Sequence, residues 1–135
     1  MHSDTGTVTG SKTTRAISYA LSALAALFLI FDSVIKFTTI PPVVDSFNQL
    51  GYALHLAPVI GLIEIVCVAL YLIPRTSVLG AVLMTGYLGG AIATHVRAES
   101  PLFSHTLFPI YVALLIWGGL YLREDRLRAL LPLRR

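Results

Sequence analysis

Charge is scarce in this chain of 135 residues: only 13% are Asp, Glu, Lys or Arg, against roughly 25% in a soluble domain. A small globule in water leaves much of its surface exposed. So few charges could not solubilise a composition that is 56% hydrophobic. Cysteine is nearly missing as well. The one thiol, Cys67, lies inside an apolar run, which excludes an intramolecular disulfide and CxxC chemistry and leaves it as a small buried hydrophobe. The HExxH and HxxE spacings of zinc enzymes are absent, as are a glycine-rich phosphate loop and a nucleophile elbow. No metal site is expected. The net charge of +3 does not point to nucleic acid, because the basic residues flank apolar runs, where topology signals and lipid-headgroup contacts belong.

Four apolar stretches are present instead, at about residues 16–37, 56–73, 76–95 and 107–122. Each approaches the roughly 20 residues that cross a bilayer, with the second and fourth near the lower limit. The expected fold is therefore all-α: an integral membrane four-helix bundle with short interfacial helices, spanning residues 15–123. Residues 1–14 are rich in Ser, Thr and Gly and read as a disordered tail. The run after Arg15 is too long for a signal-peptide core and has no evident cleavage site, so it is expected to stay as an anchor. Residues 124–135 form a basic tail, with Leu127, Leu130 and Leu131 set among arginines.

The loops have different characters. Pro74–Thr76 makes a tight hairpin, whereas 38–55 is longer. Within it Val43, Val44, Phe47 and Leu50 recur at helical spacing opposite Asp45, Asn48 and Gln49, which predicts a short amphipathic helix on the membrane surface. Lys12, Arg15, Arg75, Arg123, Arg126, Arg128, Arg134 and Arg135 fall on one side of the membrane, and only Lys36 and Arg97 on the other. Eight against two places both termini in the cytoplasm by the positive-inside rule. Ala81, Thr85, Gly89 and Ala93, with Gly86 and Gly90 beside them, and Gly118–Gly119 later, are expected to let helices approach closely, since lipid offers little hydrophobic drive for their association.

A charge near the middle of a bilayer costs about 2.5–3.5 kcal/mol on insertion scales, so each one needs a reason. Asp32 and Lys36 lie one turn apart on one face of the first helix. Glu64 lies roughly 10 Å from the outer end of the second. Thr94, His95 and Arg97 close the third helix, and His105 and Thr106 lead into the fourth. All fall in the outer half, and the inner half reads as plain hydrophobic scaffold. The two carboxylates and two cations nearly neutralise one another, as a low-dielectric setting requires.

Two readings follow. In one, the pairs are internal clasps: Asp32 with Lys36, and Glu64 with Arg97 or His95. In the other, Asp32, Lys36, Glu64, His95 and Arg97 line a ligand-binding pocket open to the outer face or to lipid. Glu64 is the most telling residue, being too deep to snorkel. Bis-histidine haem ligation would need His95 with His105 or His55, a generic spacing that carries little weight.

The run Thr85–Arg97, TGYLGGAIATHVR, taken with the Asp32–Lys36 turn, the Gly61–Leu62–Ile63–Glu64 segment, the Pro41–Pro42 loop and the arginine-rich end, resembles the DoxX-like membrane proteins over about residues 16–132. The resemblance implies a bacterial four-helix protein of the cytoplasmic membrane. Namesake relatives are linked to a thiosulfate:quinone oxidoreductase, and others to responses to quinones, catechols and oxidative stress. It therefore implies membrane redox or quinone chemistry without establishing catalysis; any reaction would be that of a quinone-linked oxidoreductase component.

Two functions are carried forward. The first is a redox-associated membrane component that binds a quinone or similar apolar ring between Glu64, His95, Lys36 and Arg97, with Phe28, Tyr87 and Trp117 as aromatic walls. A buried Glu and a nearby His suit the proton exchange of such a ligand. Electrons would come from a redox protein partner. The second is a non-catalytic structural or accessory subunit of a membrane complex. Transport is a weaker third, since four short helices would line a path only as a homo-oligomer and the inner half shows no relay.

Overall fold

The computed structural model describes residues 4–130, with side chains from residue 12 onward. Among these residues there are helices and turns and no strand. The long helices are α1 (Asp4–Ile35), α3 (Ala57–Leu72), α4 (Ser77–Arg97) and α5 (Phe108–Arg123), while α2 (Pro41–Leu50) and α6 (Asp125–Leu130) are short. Single 3-10 turns at Leu54–Leu56 and Pro74–Thr76 lead into α3 and α4, and a π-type turn at Leu102–Thr106 leads into α5. Pro58 and Pro109 sit in the first turns of α3 and α5, where the lost N–H has no intrahelical partner in any case.

The four spans are those expected, within a residue or two at most ends. The main difference is at the start. The stretch expected to be a disordered tail is helical from Asp4. Once the apolar segment has nucleated a helix, adding residues at its end is cheap even for indifferent helix formers. Of the basic tail, only Glu124 and α6 belong to the described residues. Its Leu127 packs into the core, and Leu131 lies outside the description.

The helices form a closed ring in which α1 packs on α3 and α5, and α4 on the same two. Ala25, Leu29, Val68, Ala81, Met84, Ile116 and Leu120 fill its centre. Only about a third of each apolar window is buried, between 28% and 33%. The remainder, including Leu27, Phe31, Leu62, Val82 and Leu114, points outward. An exposed apolar girdle of this extent is stable only against lipid tails. The protein spans a membrane.

Close packing does not occur where the glycine pattern of α4 suggested. A Cβ added at Gly86, Gly89 or Gly90 would meet nothing within 4 Å. Spacing alone names a small face without saying whether a helix lies opposite it. The tight approaches are at other glycines. At Gly80 a Cβ would lie 2.6 Å from Tyr71 Cα, so the α3–α4 hairpin depends on its absence. At Gly61 it would lie 2.9 Å from the Ser33 carbonyl and 3.0 Å from Lys36 Cβ, and this contact brings α3 against the acidic end of α1. Gly119 does allow α5 to approach α1, at 2.9 Å from the Ser18 carbonyl, while Gly118 is in ordinary contact only.

The half of the bundle expected to be plain hydrophobic scaffold is not. Arg123 Nη1 turns back into the bundle and donates to Ser18 Oγ (2.9 Å) and Ser22 Oγ (2.7 Å). Ser22 Oγ also pairs with the Tyr71 hydroxyl at 2.6 Å, and that hydroxyl donates to the Ile116 carbonyl at 2.8 Å. Serine, tyrosine and a terminal arginine pass as neutral or flanking residues in a sequence. Only the convergence of α1, α3 and α5 shows them to be one hydrogen-bonded clasp.

Candidate functional site

The site begins with the close approach at Gly61. One turn further along α3, Glu64 comes level with Lys36 at the end of α1, and Lys36 Nζ donates to Glu64 Oε1 at 2.9 Å. The same ammonium is bonded to Asp32 Oδ2 one turn back on α1 and reaches the Asp32 carbonyl at 3.3 Å. From α4, Tyr87 donates its hydroxyl to Glu64 Oε1 at 3.1 Å. The Glu64 side chain is only 1% exposed, Lys36 13% and Asp32 34%. Glu64 Oε2 is buried and has no hydrogen-bond partner among the described residues. Buried polar atoms are nearly always satisfied, so an orphan carboxylate oxygen calls for an explanation.

A cavity of about 580 Å³ lies against this group, within the range of small-molecule sites. Asp32, Lys36, Glu64 and His95 all line it. Its walls are aromatic as well: Phe28, Phe47, Tyr52, Tyr87 and Phe108, with the Phe28 and Phe108 rings edge to face at 5.1 Å. Gly86 and Gly90 also line it, which explains why their missing Cβ atoms face open space.

The short helix α2 closes one side. It is the short amphipathic helix expected, and its apolar face packs on the bundle: Val43 and Phe47 are buried with Ala57, against Ile35 and Ile60, and α2 contributes Pro42, Val43, Phe47 and Leu50 to the cavity wall. Gly51, at φ 79°, ends α2 in the left-handed conformation that glycine adopts without steric cost.

The expected cluster is thus only partly assembled. Asp32, Lys36 and Glu64 form one bonded group, and His95 lines the same cavity, with its Nδ1 3.0 Å from Ser100 Oγ. Arg97 does not line it; its guanidinium is bonded to the Leu50 carbonyl at the end of α2. The pairing of Glu64 with Arg97 or His95 is therefore replaced by Lys36 and Tyr87. Without Arg97 the local group is two carboxyls to one ammonium. Trp117 is not a wall either, and donates to Thr85 Oγ1 at 2.7 Å instead. His55 is exposed. His105, by contrast, lines the cavity and lies edge to face with His95 at 5.9 Å.

Sequence reasoning underrated Tyr87, taken only as a wall, and missed Tyr52 and Phe108. Tyr87 lies 23 residues from Glu64, and nothing in that separation announces a hydrogen bond.

No curated protein and no solved structure matches the chain. A family model does, over residues 20–119, an interval that holds α2, α3 and α4 entire, half of α1 and most of α5, with the carboxylate–lysine group and the whole cavity lining. The chain belongs to the DoxX-like family.

Proposed function

We propose that the protein is a redox-associated component of the bacterial cytoplasmic membrane that binds a quinone-type ring compound in the outer-half cavity, with both termini in the cytoplasm. One observation carries this reading: Glu64 Oε2, buried and unpartnered, on a residue that lines an aromatic-walled cavity. An accessory subunit held by internal clasps would have a closed polar group, and this one is left open by an oxygen. The cavity volume and its mixture of apolar wall with a few polar atoms suit a substituted single ring. The eight-to-two distribution of Lys and Arg supports the orientation. The chain's single thiol is buried, so electrons for any reaction would come from a membrane or redox protein partner.

The test uses tetramethyl-benzoquinone and its hydroquinone, each supplied to the purified protein in detergent. At least one of the two is expected to raise the melting temperature of the wild type. Gly90→Phe fills the cavity from a position with no neighbour within 4 Å, and should abolish that rise while leaving the ligand-free melting temperature nearly unchanged. No stabilisation by either form, or equal stabilisation of Gly90→Phe, would refute the site.

A further inference from the structure

We infer that the cavity opens sideways into the hydrocarbon layer through a gap between α3 and α4. Its ligand is a membrane-dissolved ring lipid, with the ring inside and the hydrocarbon chain leaving through that gap. The inference rests on the ring-binding site proposed above and adds the ligand's class and its route.

The gap follows from where α3 and α4 touch. At the hairpin end their backbones are in contact, and a Cβ on Gly80 would lie 2.6 Å from Tyr71 Cα. Further along α4, a Cβ on Gly86 or Gly90 would meet nothing within 4 Å. The helices thus diverge away from the hairpin. There they are bridged by long side chains: Tyr87 reaches Glu64 Oε1 at 3.1 Å, and Tyr52, which precedes α3, reaches Thr94 at 3.0 Å.

The direction of the gap follows from helix periodicity. At roughly 100° per residue, Gly80 and Tyr87 share the face of α4 that meets α3. Met84 and Leu88, both buried, lie on the core side of that face. Gly86 and Gly90 lie on its other flank, and both are exposed. Across the gap on α3, Ile63 is turned outward from Glu64 and is 50% exposed. Ile63, Gly86 and Gly90 nevertheless all line the cavity. They form a border common to the cavity and the lipid-facing surface, and two of the three have no side chain with which to close it.

The described residues close the other sides. Gly61 sets α3 directly on α1, and the Phe28 and Phe108 rings meet between α1 and α5. Buried Leu88 and Val112, with the Trp117–Thr85 hydrogen bond, join α4 to α5. The remaining end is polar: Ser46, Gln49, His95, Ser100 and His105 line it, and three of these also border a second hollow beside Glu99. A hydrocarbon chain in that end would set CH2 groups against polar atoms and water, whereas in the gap it meets Ile63 and lipid. The gap also leads to a place for a polar head. The Glu64 side chain, 1% exposed, lines the cavity with Oε2 unpartnered among the described residues. Protonated or ionised, that oxygen marks where the ligand's polar end belongs.

The experiment is photo-crosslinking of the wild-type protein in lipid nanodiscs. The probe is trimethyl-benzoquinone bearing a decyl chain that ends in a diazirine, prepared in both redox forms. The competitor is an excess of whichever form of tetramethyl-benzoquinone raises the melting temperature. Adducts that the competitor displaces are expected mainly beside the gap, on Val59 and Val66 of α3 and Leu79 and Leu83 of α4, whose side chains face outward. Displaceable adducts on α1, on α5 or on residues 98–105 would overturn the route. Stabilisation by the tail-less ring with no displaceable adduct at all would overturn the inference and leave the site intact. Neither stabilisation nor displaceable adducts would overturn both together. No variant is needed, so the folding of a substituted protein does not enter the outcome.

Discussion

Replacing Lys36 with Met removes the only cation bonded to Glu64 among the described residues while keeping a side chain of similar length. The consequence follows from the exposures of the group. Glu64 is 1% exposed, and its charge would be left among apolar helices with one neutral donor, Tyr87. Removing one partner of a buried pair typically costs about 3–5 kcal/mol. The adjoining cavity can admit water, so a loss of about 2–4 kcal/mol is expected here. Asp32 is 34% exposed and solvates itself on losing the ammonium, adding less than about 1 kcal/mol. The assay is reversible unfolding in mixed micelles, comparing Lys36→Met, Glu64→Gln and the double variant. If the cost arises from an orphaned buried carboxylate, the double variant recovers most of it, because the charge needing compensation is gone. A Lys36→Met protein within about 0.5 kcal/mol of wild type would refute the reasoning, since exposed pairs contribute on that scale. Equal losses in Lys36→Met and the double variant would refute it as well, pointing to lost packing of the lysine stem.

Two further outcomes follow from the backbone approaches and from α2. Gly80→Ala should destabilise by about 1–3 kcal/mol, because the new Cβ would meet Tyr71 and Leu70 backbone at 2.6–2.7 Å. Gly86→Ala, in a similar sequence setting but with nothing within 4 Å, should be neutral or stabilising by up to about 1 kcal/mol from helix propensity; parallel unfolding curves distinguish the two signs. Arg97→Ala releases the Leu50 carbonyl and should speed hydrogen exchange in 43–50 while leaving the core amides of α3 and α4 protected. Uniformly faster exchange across the bundle would show that Arg97 supports the fold as a whole.

The four spans and the outward apolar surface were legible in the sequence because hydropathy over about 20 residues is a local property that a bilayer enforces directly. The Asp32–Lys36 pair was legible for a similar reason: residues four apart on a helix share a face. The depth of Glu64 marked it as a residue needing a partner. None of this identifies the partner. Lys36, 28 residues away, was chosen over Arg97 by the approach of α3 to α1 at Gly61. Arg97 was drawn off by the end of α2, and the glycines of α4, which look like packing devices in one dimension, border a cavity. The Ser18–Ser22–Tyr71–Arg123 clasp was hidden for the same reason, its members being ordinary until three helices converge. Local chemistry thus determined that the protein lives in a membrane and that one half of its bundle holds charges in need of compensation. The tertiary structure alone decided which charges meet and which carboxylate oxygen is left over, because pairing depends on distances between helices that no sequence spacing encodes.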